Sequence, residues 1–357
     1  MRKRTRATNG LLLCILFALG LCGCEDDPVR GLQHGDFEII TFESALSDLE
    51  IDVSRNLIYV ADERANRIHA LDADTDEVVR SIAVGSRPIR VVMDPNEENL
   101  FVALQGEHAV AVVDPDLGQV IRRVSVPFEV AWLEVTGDGR LFVGPRDIDD
   151  GETLSMDAVT GEILHDLRVA GGWSPVGEFI AVHDSLFLLV RTDDLFKWNI
   201  KDPDVSVYVG TSELDLFHSK HELFTSSDGS LLYISGTMGR ANQVEVFRTS
   251  DLTKAGEFDT QQGVEFACLS PQGGRAFVAT SMQVMAQGSS AATYILEYDT
   301  ATYARTNQFL ALGNMAGASL AVSPNGTKLY AVVDNPYRIA DNPTQERRQD
   351  LQVIGLR

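Results

Sequence analysis

Four side chains in the middle and second half of this sequence carry groups that can hold or move a proton. They are Glu178, His221, Glu222 and Glu265. A hydrolase needs such groups, or metal ligands, to converge on one point. Because these residues are far apart in the chain, their spacing does not fix the distances between them. We therefore assign no catalytic residue from the sequence and keep these four as the site of an alternative, hydrolytic function.

A second group of residues is better suited to binding than to catalysis. Aromatic, arginine and methionine side chains are enriched at protein interfaces. Here they occur near the starts of predicted strands and in two long insertions, residues 281–293 and 334–349. The predicted ligand- or partner-binding residues are Arg87, Arg90, Trp132, Trp173, Met282, Met285, Tyr337 and Arg338. The alternative is that they are solvated loop residues and packing aromatics.

Metal and cofactor chemistry have weaker support in the sequence. Residues 72–77 and 147–152 contain alternating carboxylates, as calcium-binding loops do, but neither matches a full EF-hand loop. The first segment also occupies a turn position that recurs along the chain. We interpret both as acidic turns and predict no metal site. There is no Cys-x-x-Cys-His motif for covalent haem, and we predict no cofactor.

The elements that must position these residues follow from a repeated pattern. An aromatic residue recurs inside a short apolar strand at Tyr59, Phe101, Phe142, Phe187, Tyr233, Phe277 and Tyr330. The intervals are 42, 41, 45, 46, 44 and 53 residues, which is about the length of one four-stranded propeller blade. Turns such as Ser226-Ser-Asp-Gly229 and Ser323-Pro-Asn-Gly326 precede these strands. Pro and Gly favour the backbone angles of such turns.

The repeat resembles a known family. Residues 57–88, LIYVADERANRIHALDADTDEVVRSIAVGSRP, and residues 320–333, LAVSPNGTKLYAVV, are similar to the YVTN-type β-propeller repeat, a relative of the WD40 and lactonase-like propellers. The resemblance covers residues 37–357. It implies an all-β, seven-bladed propeller with four-stranded antiparallel blades. The family is functionally mixed, so the resemblance implies a fold rather than a function.

Strand counting predicts how the ring closes. After Tyr330 the chain has only one more predicted strand, at residues 351–354, so the seventh blade is incomplete. A separate strand, Phe37 to Phe42, precedes the first predicted blade. We expect it to be the outer strand of the last blade, because this pairing removes two exposed sheet edges.

The N-terminus resembles a bacterial lipoprotein signal. Basic residues at positions 2–6 precede an apolar run, residues 11–21, and the tetrapeptide Leu21-Cys-Gly-Cys24. The apolar run is too short to be a lasting membrane-spanning helix. We predict a signal peptide at residues 1–23, lipidated Cys24 with a flexible tether at residues 24–36, and the propeller at residues 37–357. The alternative is an ordinary secretory signal or an uncleaved anchor.

The net charge of the chain restricts the classes of partner that it is expected to bind. The chain carries a formal net charge of −22, and removing the four basic residues of the signal gives 26 − 52 = −26. This acidity argues against nucleic-acid binding. Among the four cysteines only Cys268 would remain besides Cys24, and we expect it to be a buried apolar thiol.

The sequence therefore predicts a lipid-anchored, extracytoplasmic propeller of the bacterial cell envelope. It would contact the membrane through Cys24 and a protein or small molecule through its loop-rich rim. The predicted role is ligand binding or protein scaffolding. A lactonase-like hydrolase with its site at the mouth of the central channel is the alternative.

Overall fold

The computed structural model describes residues 4–6, 37–42, 45–146, 151–168, 177–183, 185–190, 194–202, 205–213, 221–236, 242–281, 292–334 and 349–356. Within these residues the ordered elements are β-strands joined by turns. No helix in this part of the chain is long and apolar enough to cross a membrane.

The strands form seven four-stranded antiparallel sheets, here called blades 1 to 7. The chain begins with β1 (Arg4–Arg6) and β2 (Phe37–Thr41). Blade 1 consists of β3 (Leu46–Asp52), β4 (Leu57–Asp62), β5 (Arg67–Asp72) and β6 (Val78–Ala83). Blade 2 consists of β7 (Pro88–Met93), β8 (Leu100–Leu104), β9 (Ala109–Asp114) and β10 (Gln119–Ser125). Blade 3 consists of β11 (Val130–Val135), β12 (Arg140–Pro145), β13 (Leu154–Asp157) and β14 (Ile163–Asp166).

The remaining blades follow in chain order. Blade 4 consists of β15 (Gly177–Val182), β16 (Ser185–Val190), β17 (Asp194–Asp202) and β18 (Val205–Glu213). Blade 5 consists of β19 (His221–Thr225), β20 (Leu231–Gly236), β21 (Gln243–Arg248) and β22 (Lys254–Asp259). Blade 6 consists of β23 (Val264–Leu269), β24 (Arg275–Ser281), β25 (Ala292–Asp299) and β26 (Arg305–Leu312). Blade 7 consists of β27 (Asn314–Val322), β28 (Lys328–Asp334), β29 (Gln349–Gly355) and β2.

The repeated aromatic residue lies in the second strand of every blade, as predicted. All seven of these side chains are buried. A separate cluster of buried apolar residues fills each gap between adjacent blades. One of them joins Tyr330 of blade 7 to Ile58 of blade 1. The core is therefore divided among the blade interfaces, and each blade depends on its neighbours for stability.

Ring closure is confirmed by the pairing of β2. It runs antiparallel to β29, from Phe37 opposite Ile354 to Thr41 opposite Asp350. The short strand β1 pairs with the other edge of β2. This arrangement gives the last blade its fourth strand from the opposite end of the chain, which links the two ends of the propeller.

Polar contacts strengthen the junction between blades 7 and 1. Asp76 follows β5 and is buried. Its carboxylate accepts hydrogen bonds from Lys328 Nζ at 2.8 Å and Tyr330 Oη at 2.7 Å. Ala318 of β27 also pairs with Asp48 of β3. The first acidic segment thus contributes a structural contact between blades.

The same segment forms a turn of its own. Asp72 Oδ1 accepts hydrogen bonds from the main-chain N–H groups of Asp74 and Thr75, and from the Thr75 hydroxyl. These local bonds hold the pKa of the Asp72 carboxyl below its usual value. This is the geometry of a side-chain-stabilised turn. Residues 147–150 of the second acidic segment lie outside the described part of the chain.

Candidate functional site

The first strand of each blade lines a central channel. These inner strands are β3, β7, β11, β15, β19, β23 and β27, and each lies next to the inner strand of the following blade. β27 returns to β3, so the inner strands form a closed ring. Residues at the same register in different blades therefore lie at the same depth along the channel wall.

One layer of the channel wall is set by the repeated aromatic residue. We call it the aromatic-paired ring, because each member is the inner-strand residue that lies opposite that aromatic. Its members are Glu50, Val92, Glu134, Ile180, Phe224, Cys268 and Ala321. Ala321 is buried and the other six are half-buried. Cys268 is thus more exposed than the sequence led us to expect, since it lies at the channel wall.

A second layer, here called the mouth ring, lies two residues nearer the starts of the inner strands. Its members in blades 1 to 6 are Asp48, Arg90, Trp132, Glu178, Glu222 and Phe266. In blade 7 the register shifts between Met315 and Leu320 at this level. The mouth ring contains four residues that the sequence analysis had named separately.

Three of these residues make direct contact across blades 2, 3 and 4. Arg90 Nη2 lies 3.0 Å from Glu178 Oε1. The Arg90 guanidinium also lies over the Trp132 ring, 5.7 Å from its centroid. These two contacts restrict the Arg90 side chain. Its charge is paired with the Glu178 carboxylate, and the flat face of its guanidinium packs against the Trp132 indole ring. The structure thus brings Arg90, Trp132 and Glu178 together, although 88 residues separate the first from the last.

Gly144 provides the space for Trp132. These two residues lie opposite each other in β12 and β11. A Cβ atom on Gly144 would lie 3.4 Å from Trp132 Cδ1 and 2.9 Å from a Phe179 ring carbon. The second distance is too short for a real contact, so the absence of a side chain at Gly144 lets both rings pack beside this strand.

Carboxylates of the wall also bind the main chain of the next blade. Asp48 Oδ2 accepts a hydrogen bond from Val91 N at 2.8 Å, and Glu50 Oε1 accepts one from Met93 N at 3.1 Å. Both donors lie in β7. These bonds satisfy N–H groups at the exposed edge of that strand, so two acidic side chains help to fix blade 1 against blade 2.

Four carboxyl groups of the wall hold protons more tightly than they would in water. Burial raises the pKa of Asp48 to about 6, that of Glu178 to about 7, and those of Glu50 and Glu134 to about 8. Arg90 opposes the increase at all four. Repulsion from a neighbouring carboxylate adds to it at Glu50, Glu134 and Glu178. The Arg90 guanidinium thus lowers the pKa values of four carboxyl groups at once.

The other predicted residues do not join this cluster in the described part of the chain. Arg87 is exposed and forms an ion pair with Glu63 at 3.0 Å. Glu265 is half-buried in β23. His221 and Glu222 are the first two residues of β19, and their side chains lie outside the described structure. The remaining predicted residues lie outside the described part of the chain: Cys24, Trp173, Met282, Met285, Tyr337 and Arg338.

Three acidic residues of the wall were missed by the sequence analysis, namely Asp48, Glu50 and Glu134. The pattern contained a signal for two of them. Glu50 lies nine residues before Tyr59, and Glu134 lies eight residues before Phe142. Counting back seven to nine residues from the repeated aromatic reaches the aromatic-paired ring in every blade. The length of the first turn varies over the same range, so the exact residue is fixed only when the strands are paired.

Metal binding has no support from the described side chains. Among them, no group of three His, Cys, Asp or Glu residues could hold a metal ion. The carboxyl groups of the channel wall are instead spread over blades 1, 3 and 4.

The fold and the channel define the class of this protein: it is a seven-bladed β-propeller. No family model and no curated protein matches the chain. Among solved structures, it is similar to hydrazine synthase from Kuenenia stuttgartiensis, with a TM-score of 0.65 and 14% identity over 92% of this chain and 99% of that chain. It is also similar to a chain of the mitotic checkpoint complex, with a TM-score of 0.67 and 14% identity over 94% of this chain and 98% of that chain. At this identity the similarity shows the fold alone.

Proposed function

We propose that this chain is a binding module whose ligand or partner engages the mouth of the central channel. The observation that carries the proposal is the convergence of Arg90, Trp132 and Glu178 on one point of the wall. The three side chains come from three consecutive blades, so a rigid scaffold holds them in place. Preorganised aromatic and charged groups in a concave site are typical of ligand binding.

The location of the contact groups supports this proposal. The mouth ring lies near the starts of the inner strands, at the rim where the connections between blades begin. Binding residues of rigid folds usually lie on such rims. The insertions after β24 and β28 leave the same rim, since β24 and β28 run antiparallel to their inner strands. Protein scaffolding through this loop-rich rim is compatible with small-molecule binding in the channel below it.

We also propose that the module acts at the bacterial cell envelope as a lipoprotein of the YVTN type. The support is the sequence alone: the basic start, the short apolar run and Leu21-Cys-Gly-Cys24. Lipidation of Cys24 with more than one chain would anchor the protein stably. The 13 residues 24–36 would then connect the anchor to β2 in blade 7.

The test is native mass spectrometry of the full-length chain, gently extracted from its own membrane. A bound small molecule or protein should add mass to the wild type. Arg90→Ala combined with Trp132→Ala should remove that mass. Arg248→Ala is a matched control, because this arginine is exposed in blade 5 at the opposite end of the blade. Retention of the bound species by the double variant would contradict the proposal.

The hydrolytic alternative is favoured by one observation. Burial raises the pKa of Glu178 to about 7, which suits a group that exchanges protons at neutral pH. Glu178, His221 and Glu265 also lie near the starts of β15, β19 and β23, in consecutive blades. Hydrolysis of a panel of lactones that is abolished by Glu178→Gln and unaffected by Arg248→Ala would establish this alternative.

A further inference from the structure

The aromatic-paired ring has two chemically different halves. Glu50 and Glu134 lie in blades 1 and 3, on either side of Val92. In blades 4, 5 and 6 the same positions carry Ile180 and Phe224, followed by Cys268. A molecule in the channel would therefore meet carboxyl groups on one side and an apolar surface on the other.

The acidic half has an excess of negative groups. Four carboxyl groups surround the guanidinium of Arg90, which forms an ion pair with Glu178 at 3.0 Å. The described part of the mouth ring contributes no second cation, since its other members are Asp48, Trp132 and Phe266. If all four carboxyl groups were ionised, three negative charges would remain in a narrow space. A positive ligand would relieve their mutual repulsion.

Two polar atoms at the same place lack hydrogen-bond partners. Glu178 is only 5% exposed, and its carboxylate interacts with Arg90 and with the main-chain N–H of Leu223, yet its Oε2 atom has no hydrogen-bond partner of good geometry within the described structure. The Trp132 ring nitrogen is also buried without an acceptor. Buried polar atoms are nearly always paired in native proteins, so each unpaired one needs an explanation. Glu178 Oε2 is an acceptor beside an acidic cluster, and the group that would satisfy it is a hydrogen-bond donor.

We propose that the channel binds a small organic cation with an apolar body. The ammonium or guanidinium group would lie among Glu50, Glu134 and Glu178. The body would pack on Phe224, Ile180 and Phe266. This inference deepens the proposed function and rests on it, because it gives the chemical class of the ligand for the same channel.

An organic cation fits the wall better than a bare metal ion. The described carboxyl groups do not form a cluster tight enough to hold a metal. An ammonium or guanidinium group instead offers several N–H donors that point in different directions. One face of the Phe224 ring is stacked on Tyr233, with 5.1 Å between the ring centroids, so only its other face could attract a cation directly. The formal net charge of −22 adds a general attraction for positive ligands.

Cation binding should also release protons. The titratable or charged groups of the two rings whose side chains are described come from five inner strands. They are Asp48 and Glu50 from β3, Arg90 from β7, Glu134 from β11, Glu178 from β15 and Cys268 from β23. The raised pKa values of Glu50 and Glu134, about 8 for each, mean that both are largely protonated at neutral pH. An entering cation favours the ionised carboxylate, so the displaced protons appear in the buffer.

The test is isothermal titration calorimetry on the full-length chain with three probes of similar shape. These are 2-phenylethylamine, 2-phenylethanol and phenylacetate. Only the amine should bind. Its heat should depend on the ionisation enthalpy of the buffer, as proton release requires. Glu134→Gln should weaken amine binding about tenfold, which corresponds to about 1.4 kcal/mol.

Glu257→Gln is the matched control, because Glu257 is an exposed glutamate in β22 on the outside of blade 5. It should bind the amine as the wild type does. Glu50→Gln is a second channel variant in case Glu134→Gln does not fold. Equal binding of the alcohol or the carboxylate, or an unchanged affinity in both channel variants, would overturn the inference.

Failure of this inference can be separated from failure of the proposed function. If no probe binds at roughly millimolar concentration, the cation inference is wrong. If the mass-spectrometry experiment still shows a species that depends on Arg90 and Trp132, the binding module stands with a ligand of another class. If neither experiment detects binding, both proposals fail.

Discussion

Replacing Glu134 with glutamine should make the protein less sensitive to rising pH. Glu134 lies in the aromatic-paired ring, where burial raises its pKa from 4.5 to about 8, and repulsion from Glu178 adds to the increase. The folded chain therefore keeps a proton at neutral pH that the unfolded chain has released. A raised carboxyl pKa gives stability that is complete below pH 4.5 and is lost as the pH rises towards 8.

The size of the stability change follows from the difference between the two pKa values of Glu134, 4.5 in the unfolded chain and about 8 in the folded chain. Each pH unit between the two pKa values lowers the free energy of unfolding by about 1.4 kcal/mol for one proton. From pH 4.5 to pH 7 the loss is about 3 kcal/mol, an upper value because water entering the channel would reduce it. Glutamine has nearly the same shape and carries no titrating proton. Glu134→Gln should therefore match the wild type near pH 4.5 and be more stable near pH 8.

The assay is urea denaturation at intervals between pH 4.5 and pH 8.5, with the free energy of unfolding plotted against pH. The slope for Glu134→Gln should be shallower than that of the wild type by about one proton. Glu257→Gln removes one carboxylate from the exposed outer strand β22 and separates a channel effect from a change in net charge. A Glu134→Gln slope equal to that of the wild type would refute the account of this carboxyl group.

Three further expectations concern the anchor and the ring. Cys24→Ser should release the protein from the membrane fraction or leave it unprocessed; a membrane-bound variant with the processed wild-type mass would show that Cys24 is not the anchor. Deleting residues 31–43 removes β2 and exposes the edge of β29. The melting temperature should therefore fall by several degrees or more in a thermal scan. An unchanged value would mean that β2 does not stabilise the ring. Tyr330→Phe removes the 2.7 Å hydrogen bond to Asp76 at the junction of blades 7 and 1 and should cost about 1–2 kcal/mol in urea denaturation. A cost below about 0.5 kcal/mol would show that this bond contributes little to closure.

The fold could be predicted from the sequence because the repeat is redundant. Seven aromatic residues at similar intervals fix seven second strands, and an error in one blade would not change the count. Closure by β2 was also predictable. An unpaired strand at the start and a missing strand at the end have one simple solution. In blade 4, Val182 pairs directly with Ser185, and His183 has a φ of 50° without being a glycine, so the usual turn signal is missing from the sequence there.

The site was only partly predictable, since it depends on register between distant strands. Arg90, Trp132 and Glu178 were chosen for their chemistry, and nothing in their spacing indicated direct contact. The missed acids were harder to find. Glu134 is a single charge inside the apolar strand β11, and Glu50 alternates with apolar residues in β3. An exposed, outward-facing position is the usual interpretation of both patterns. Their shared position opposite the repeated aromatic becomes evident only when the strands are paired.

Cys268 provides the most direct measurement of the channel, because its thiol lies in the aromatic-paired ring with Glu50 and Glu134. The experiment compares the rates at which a cationic methanethiosulfonate, the ethylammonium reagent, and its anionic ethylsulfonate counterpart modify Cys268, followed by peptide mass mapping. At a pH above about 8, the carboxyl groups of Glu50 and Glu134 are largely ionised. The acidic cleft then raises the local concentration of cations, so the cationic reagent should react about tenfold faster or more. The ratio should fall sharply in the Glu50→Gln, Glu134→Gln double variant, and 2-phenylethylamine should protect the thiol. Equal rates for the two reagents, or a ratio that the double variant leaves unchanged, would contradict a channel built to bind cations.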